Sequence, residues 1–457
     1  MMQWNRWYSL KSYLSSALWV VPFFALVGGV AIKRAAERLG TWMVSQKFYD
    51  LKTGFLGMDH DEAVAVLDRI FTLNLSFMVF TFGSLLVAIQ VAGGQYTPRI
   101  IATTLLRDSV IRWIVGFFVF SMLWANRTMV QMTANMVPQF QLFLSMMFGI
   151  VSIVLFLLLI DYSAKLLRPV SLVARIGKDA VKVVKDVYPS VIGTADRPLQ
   201  QAPKHKWSLL PWEAHTMTPT APSGKKLGAP ARTVLHQNSS GIVLAVNIPA
   251  LLAEARRADC IVEIAPQVGD FVAVDEPLFY LYGNAGAIDD RRLRSLIAFG
   301  SERTLEQDPL FGFRILVDIA LKALSPAIND PTTAVLAIDQ LHVLLRVVGL
   351  RSLRADEFAD DSGQLRLIFR TPNWEHFVHI SLREIRQCGA GSLQVVRRLR
   401  AMIENLQQTL GEPRRPALQV ELDLLNRAAA QHFTFSEDLA LARVPDAQGL
   451  GGSPRAA

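Results

Sequence analysis

The residues best placed to do chemistry lie between Glu302 and Pro331. Glu302, Asp308, Asp318 and Asp330 supply carboxylates, Ser325 a hydroxyl, Asn329 an amide, and Arg303 and Arg314 guanidinium groups. Paired carboxylates can hold a divalent cation, and arginines can take a phosphate. Yet the segment has no Gly-rich phosphate loop, nucleophile elbow, zinc spacing or kinase set. Helix punctuation accounts for the same residues. Proline disfavours helical geometry in its predecessor, so Ser325-Pro326 stops a helix running from Pro309 to Leu324. Asp330 is a good N-cap and Pro331 a good first residue for a second helix to about Val348. Ser325, Pro326, Asn329, Asp330 and Pro331 are therefore read as a structured helix-to-helix connection, accompanied by Arg303, Asp308 and Asp318. An enzyme reading is disfavoured, and no catalytic residue, metal ligand or cofactor is expected.

Other candidate clusters have similar explanations. Asp59-His60-Asp61-Glu62 has metal-binding side chains, but Asp59 with Glu62 three residues on is a capping-box pattern. His376 and His379 are three apart beside Glu375, with no third ligand nearby in sequence. Cys260 and Cys388 form no CxxC or Cys/His zinc spacing. The C-terminal region therefore needs no oxidising compartment.

The elements that position these residues divide at Ile160. The chain is 51% hydrophobic and 19% charged, and its apolar excess lies before that residue. A membrane span needs about 20 mostly apolar residues. Four stretches qualify: 14–32, interrupted by Pro22; 70–91; 110–125, with Arg112 near one end; and 140–160. A cleaved signal peptide at the first is disfavoured, because its apolar run exceeds the usual core of about 7–15 residues. Lys165, Arg168, Arg175, Lys178, Lys182 and Lys185 follow the fourth span, whereas the loop before it has only Arg127. The positive-inside rule then places the C-terminal region in the cytoplasm, and four spans place the N-terminus there too. The loop from Lys33 to Arg69 dissents with six basic residues, balanced by six acids. Asn74, Thr81 and Ser84 of the second span are candidate pore-lining residues; interhelical hydrogen bonding is the alternative. The net charge of +8 fits a lipid-facing basic surface, and nucleic acid is not expected as a partner.

Residues 163–188 read as a basic amphipathic helix. Arg175, Lys178, Lys182 and Lys185 fall within about 80° of its circumference, opposite Val173, Ile176, Ala180, Val184 and Val187. Two readings stand: cations contacting lipid headgroups, or a packed helix with a basic solvated face. Residues 189–240 read as a Pro-rich linker or insertion, 241–285 as a small β-rich unit, 286–440 as a helical domain and 441–457 as a disordered tail. In the β-rich unit, VGDFVAVDEPLF has a hairpin-like pattern similar to lipoyl-like domains. No lysine lies between Arg232 and Lys322, so a swinging-arm carrier is disfavoured.

Several phrases together resemble a bacterial inner-membrane family defined as a domain of unknown function. They are SPAINDPTTA (325–334), ERTLEQD (302–308), LVDIALKAL (316–324), VGDFV (268–272), QYTPRIIATTLLRD (95–108) and IRQCGAGS (385–392). The resemblance implies a membrane-embedded N-terminal half and a cytoplasmic C-terminal half, and brings no activity, ligand or cofactor. The expected fold is thus α-helical and membrane-embedded, with four transmembrane helices. A mixed α+β cytoplasmic region follows, made of a small lipoyl-like β-rich unit and a helical domain. The expected setting is the bacterial inner membrane, with both termini cytoplasmic. The expected function is a homo-oligomeric channel- or transporter-like assembly, or a membrane-anchored scaffold or sensor binding a cytoplasmic protein partner. Reporter fusions test the topology: a fusion at residue 300 should report cytoplasm and one at residue 135 periplasm, and the opposite pattern would refute it.

Overall fold

The computed structural model describes residues 4–5, 7–8, 10, 14, 17, 20–45, 58–95, 108–133, 137–166, 168–192, 227–353, 357–360 and 362–451. Most of the 95–108 phrase and of the Pro-rich segment lies outside these residues. The chain forms two compact units, residues 13–172 and residues 1–12 with 173–457.

The first unit is a bundle of α1 (Val20–Ser45), α2 (His60–Gln95), α3 (Ser109–Val130) and α4 (Gln139–Leu166). The Asp59 carboxylate starts α2 by accepting from the Glu62 amide at 2.8 Å, and Glu62 accepts from the Asp59 amide at 3.4 Å. That reciprocal pair is a capping box. The helices alternate in direction. Val21 lies against Gly116 and Lys33 donates to Thr128, so α1 runs parallel to α3. Phe77 of α2 meets Phe118, and Asn74 meets Ser121. Tyr162 of α4 reaches Asp108, and Trp124 reaches the Gln141 carbonyl. Both α2 and α4 are therefore antiparallel to α3, and Val20 and Leu166 lie at the same end of the bundle. Large apolar side chains point outward: Phe24, Val79, Leu86, Leu157 and Leu158 are all exposed. A bundle with an apolar exterior is suited to hydrocarbon surroundings.

Among the described residues, four helices are long and apolar enough to cross a membrane: His60–Val91, Ser109–Val130, Gln139–Lys165 and Pro331–Gly349. The first three fall on the expected second to fourth spans. The fourth does not correspond to the expected span 14–32. It belongs to the other unit, where Ile338, Leu341, Leu344 and Leu345 are buried in its core. The helix over the expected first span begins at Val20 and continues past Ile32 through Lys33, Arg34, Glu37 and Arg38. Its apolar portion is therefore shorter than that of its neighbours.

The second unit contains two sheets and a helical region. The five-stranded sheet has the order β1-β5-β3-β8-β7. Its strands are β1 (Arg232–Leu235), β3 (Cys260–Ile264), β5 (Pro277–Gly283), β7 (Glu357–Ala359) and β8 (Leu365–Phe369). Only the β3–β8 pair is parallel. The three-stranded sheet is β4-β2-β6, from β2 (Gly241–Val246), β4 (Phe271–Val272) and β6 (Ile297–Gly300). Val234, Val243, Val262, Leu278, Ile297 and Leu367 share one core with Leu251 of helix Ile248–Arg257. Near the chain start, Tyr8 and Trp4 pack on Leu244, Ala245 and Ala298.

Several boundaries differ from expectation. The β-rich region is not confined to 241–285, because β1 lies in the supposed linker and β6, β7 and β8 lie beyond residue 285. VGDFVAVDEPLF is not a hairpin: β4 pairs with β2, whereas β5 pairs with β1 and β3. The positive φ of 67° at Asp275 turns the chain from one sheet to the other. The tail is ordered to residue 451, since Asp446 accepts from the amides of Gln448, Gly449 and Gly451.

The helical region is α5 (Pro169–Val187), α6 (Pro309–Ala323), α7 (Pro331–Gly349), α8 (Trp374–Gly389), α9 (Leu393–Thr409), α10 (Arg415–His432) and α11 (Ser436–Ala442). Val173, Ile176, Ala180 and Val184 of α5 are buried. This apolar face is covered by the helical region, not inserted into a leaflet: a Cβ at Gly177 would meet Gln340, and one at Gly312 would lie 2.5 Å from the Ala180 Cβ. Lys178, Lys182 and Lys185 remain exposed. Overpacking this contact should be costly. Gly312→Val is expected to lower stability by about 1–3 kcal/mol, read as a lower Tm of the detergent-extracted protein; an unchanged Tm would contradict the packing.

Candidate functional site

The charged residues singled out in the sequence are strung along α6, not gathered. Asp308 caps its first turn, Arg314 and Asp318 lie along it, and Ser325 follows its end. At 1.5 Å per residue the two ends are about 22 Å apart. No single active centre can include both Asp308 and Asp330. Among the described residues, no group of three or more His, Cys, Asp or Glu side chains is placed to hold a metal ion.

At the first end, the Asp308 carboxylate accepts from the Phe311 amide at 3.0 Å and is 4% exposed. Its second oxygen faces Arg303 Nη1 at 3.8 Å and has no hydrogen-bond partner. Gly269 closes the other side. Its φ is +93°, and a Cβ there would come within 2.5 Å of that oxygen. Only glycine combines that backbone with that approach. Burial pushes the Asp308 pKa up to about 6, against the opposing pull of Arg303 and the Phe311 amide. Beside it, Gln307 accepts from the Val246 amide at 3.1 Å. The phrases VGDFV and ERTLEQD are thus neighbours in space, joining the three-stranded sheet to the start of α6.

Midway along α6, Arg314 donates to Asp318 at 2.6 Å and to both oxygens of Glu384 at 2.5 and 3.0 Å. Two carboxylates thus engage the guanidinium, which is not available to hold a phosphate. Glu384 lies seventy residues away in sequence, and no local spacing pointed to it. The hydrogen bonds that Arg314 donates to Glu384 and to Asp318 hold its pKa above the usual value, against the effect of burial.

The SPAINDP turn closes the far end. Asn329 and Ile328 donate to the Ser325 carbonyl at 2.8 and 3.0 Å, and Asp330 donates to Ala323 at 2.8 Å. Asn329 has φ of +50°, a left-handed conformation that asparagine tolerates. Asp330 caps α7 by accepting from the Thr333 amide at 3.0 Å and from its hydroxyl at 2.5 Å. Pro326, Ala327 and Asn329 are exposed. The turn therefore presents Pro326, Ala327 and Asn329 on a hydrogen-bonded surface loop.

His376 and His379 have separate partners. His376 Nδ1 accepts from the Asn373 amide at 3.3 Å, while His379 Nε2 lies 2.9 Å from Arg383. In the bundle, Asn74 donates to the Ile70 carbonyl at 2.8 Å and to Ser121 at 3.2 Å. Thr81 donates to Phe77 at 2.7 Å, and Ser84 to Thr81 at 3.0 Å. Arg175 is half-buried on α5, whose exposed face also carries Asp179.

A family model described as "Predicted membrane protein (DUF2254)" matches residues 15–405. An uncharacterized protein of Mycobacterium bovis is 25% identical over 453 residues, covering 96% of this chain and 81% of that protein. An uncharacterized protein of Mycobacterium tuberculosis shows the same identity and coverage. No solved structure matches the chain.

Two measurements separate structural from chemical roles. Asp330→Ala should cost about 0.5–2 kcal/mol and Asp330→Asn almost nothing, because asparagine caps about as well. Loss of function in a folded Asp330→Asn protein would give the carboxylate a chemical role. Asp308 makes stability depend on pH. Its folded pKa of about 6 lies above an unfolded value of about 3.9. Its favourable contribution is complete below the unfolded value and disappears as pH rises through the folded one. Stability should fall by up to roughly 3 kcal/mol across that window. Asp308→Asn should flatten the fall; an identical profile would refute the assignment.

Proposed function

This chain belongs to the DUF2254 family of predicted membrane proteins, and on that premise we propose that it is a membrane-anchored binding module. Its multi-pass bundle, in the bacterial inner membrane with both termini cytoplasmic, holds an α/β region that engages a cytoplasmic protein partner. The observation that carries this reading is the fate of the bundle's polar groups. The Asn74 amide nitrogen donates to Ser121 and the Ile70 carbonyl, both within one subunit. Between that pair and the Asp108–Tyr162 contact lies an apolar core of Leu85, Ile111, Ile114, Val115, Phe118 and Leu159. Phe77 and Phe156 stack beside it at 4.0 Å. Thr81, buried on α2 between Phe77 and Leu85, donates back to the Phe77 carbonyl of its own helix.

The partner surface proposed is the SPAINDP turn, where Ser325, Pro326, Asn329, Asp330 and Pro331 hold Pro326 and Ala327 outward. Arg303, Asp308 and Asp318 support the helix beneath it. Lys178, Lys182 and Lys185, beside Arg175, give α5 a basic face for anionic headgroups. Such a contact is electrostatic, at about 1 kcal/mol per cation near the membrane surface, and weakens with salt.

A channel-like homo-oligomer is the second reading. One observation favours it: Asn74 Oδ1, Gln139 Oε1 and Ser152 Oγ are buried without a hydrogen-bond partner, as water-contacting groups of a path between subunits would be. Flux and mass decide between the two. Liposomes bearing the protein should conduct ions no faster than empty ones, and Asn74→Leu should lower stability by about 1–3 kcal/mol by leaving Ser121 without its partner. Ion flux that falls in Asn74→Leu, from a closed oligomer seen by mass measurement in mild detergent, would establish the channel instead.

A further inference from the structure

A groove of about 660 Å3 indents the surface of the bundle between α1, α3 and α4. Its walls include Phe24, Gly28 and Ile32 of α1, Trp113 and Phe117 of α3, and Leu155 of α4. Every lining side chain is hydrocarbon apart from the Trp113 indole N–H. The groove opens outward: Phe24 is 66% exposed and Trp113 69%. At Gly28 a Cβ would meet nothing within 4 Å.

We propose that this groove binds one acyl chain of a membrane phospholipid. Its volume lies in the range of ligand pockets, roughly 300–1,000 Å3. Water has no partners on such walls, and an unfilled groove forfeits dispersion contacts. Length also fits. From Val21 to Ile32 the groove follows eleven helical steps, about 16 Å, or half of a hydrocarbon layer about 30 Å thick. That is the depth of one leaflet. Trp113 stands one turn from the start of α3, at the level where tryptophan favours the interface. A helix from a second copy fits less well. Phe24, Gly28 and Ile32 recur every four residues along α1, so the glycine is a notch between two bulky side chains. A cylinder about 10 Å wide bridges those side chains and cannot reach the floor, whereas a flexible hydrocarbon chain can bend into it.

The test uses the full chain in nanodiscs of phosphatidylethanolamine and phosphatidylglycerol. They are doped with a phosphatidylethanolamine carrying a diazirine at the end of one acyl chain. After irradiation, peptide mapping should place the label mainly on the α1 and α3 walls. Gly28→Leu grows into open space and should cut that labelling about tenfold, while labelling at the exposed Val87 face of α2 stays constant. Ala25→Leu, also on the lining, is the second variant if the first fails to fold. Equal labelling of groove and Val87 face, or labelling indifferent to a folded groove variant, would overturn the proposal. So would a variant that turns an oligomer into a monomer, because the occupant would then be a second copy.

Discussion

An aspartate followed by a proline starts both helices at the centre of the larger unit, and the surrounding packing depends on that arrangement. Asp308-Pro309 opens α6 and Asp330-Pro331 opens α7. The two caps have nearly the same backbone, with φ and ψ of −111° and 89° at Asp308 and −112° and 83° at Asp330. Each carboxylate accepts an amide of the first turn that would otherwise lack a partner, and each proline fills the position where no amide is needed. The hairpin so fixed is the surface on which α5, α8 and α9 pack. Its two caps differ in burial, and that decides their character. Asp330 sits at a surface turn. Asp308 is closed in by Gly269 and Arg303, so the same chemical device becomes a buried joint between helix and sheet.

The bundle obeys a different constraint. In hydrocarbon a polar side chain must find its partner within the protein. The Asn74 amide nitrogen donates to Ser121, and Lys33, Thr128 and Trp124 gather near one end of the bundle. Apolar side chains are free to face outward, which inverts the distribution expected of a protein in water. The same freedom lets a groove persist, because the surrounding solvent can fill it with hydrocarbon.

Basic residues on α5 illustrate how little an amphipathic pattern says about its surroundings. Its valine and isoleucine face is closed by the Gly312 and Gln340 contacts. Its lysine face is left over, and it begins three residues after the last helix of the bundle ends. An amphipathic pattern alone cannot distinguish a helix lying in a leaflet from one packed on protein. Both bury an apolar stripe, and only the identity of what covers the stripe differs.

The sequence by itself determined what depends on neighbours along the chain. Apolar runs gave the positions of α2, α3 and α4, the Asp59–Glu62 spacing gave a capping box, and Ser325-Pro326 with Asp330-Pro331 gave a helix stop and start. These effects act over a few residues and leave a readable trace. Tertiary structure decided everything that joins distant segments. It split β4 and β5 between two sheets although their pattern reads as a hairpin, because strand pairing is chosen by partners, Gly241–Val246 for β4 and Arg232–Leu235 with Cys260–Ile264 for β5. It buried the apolar helix Pro331–Gly349 within the larger unit's core, where its hydropathy resembles that of a span. It set Glu384 against Arg314 and Gly269 against Asp308, contacts that exist only once the chain has folded and that no local spacing encodes.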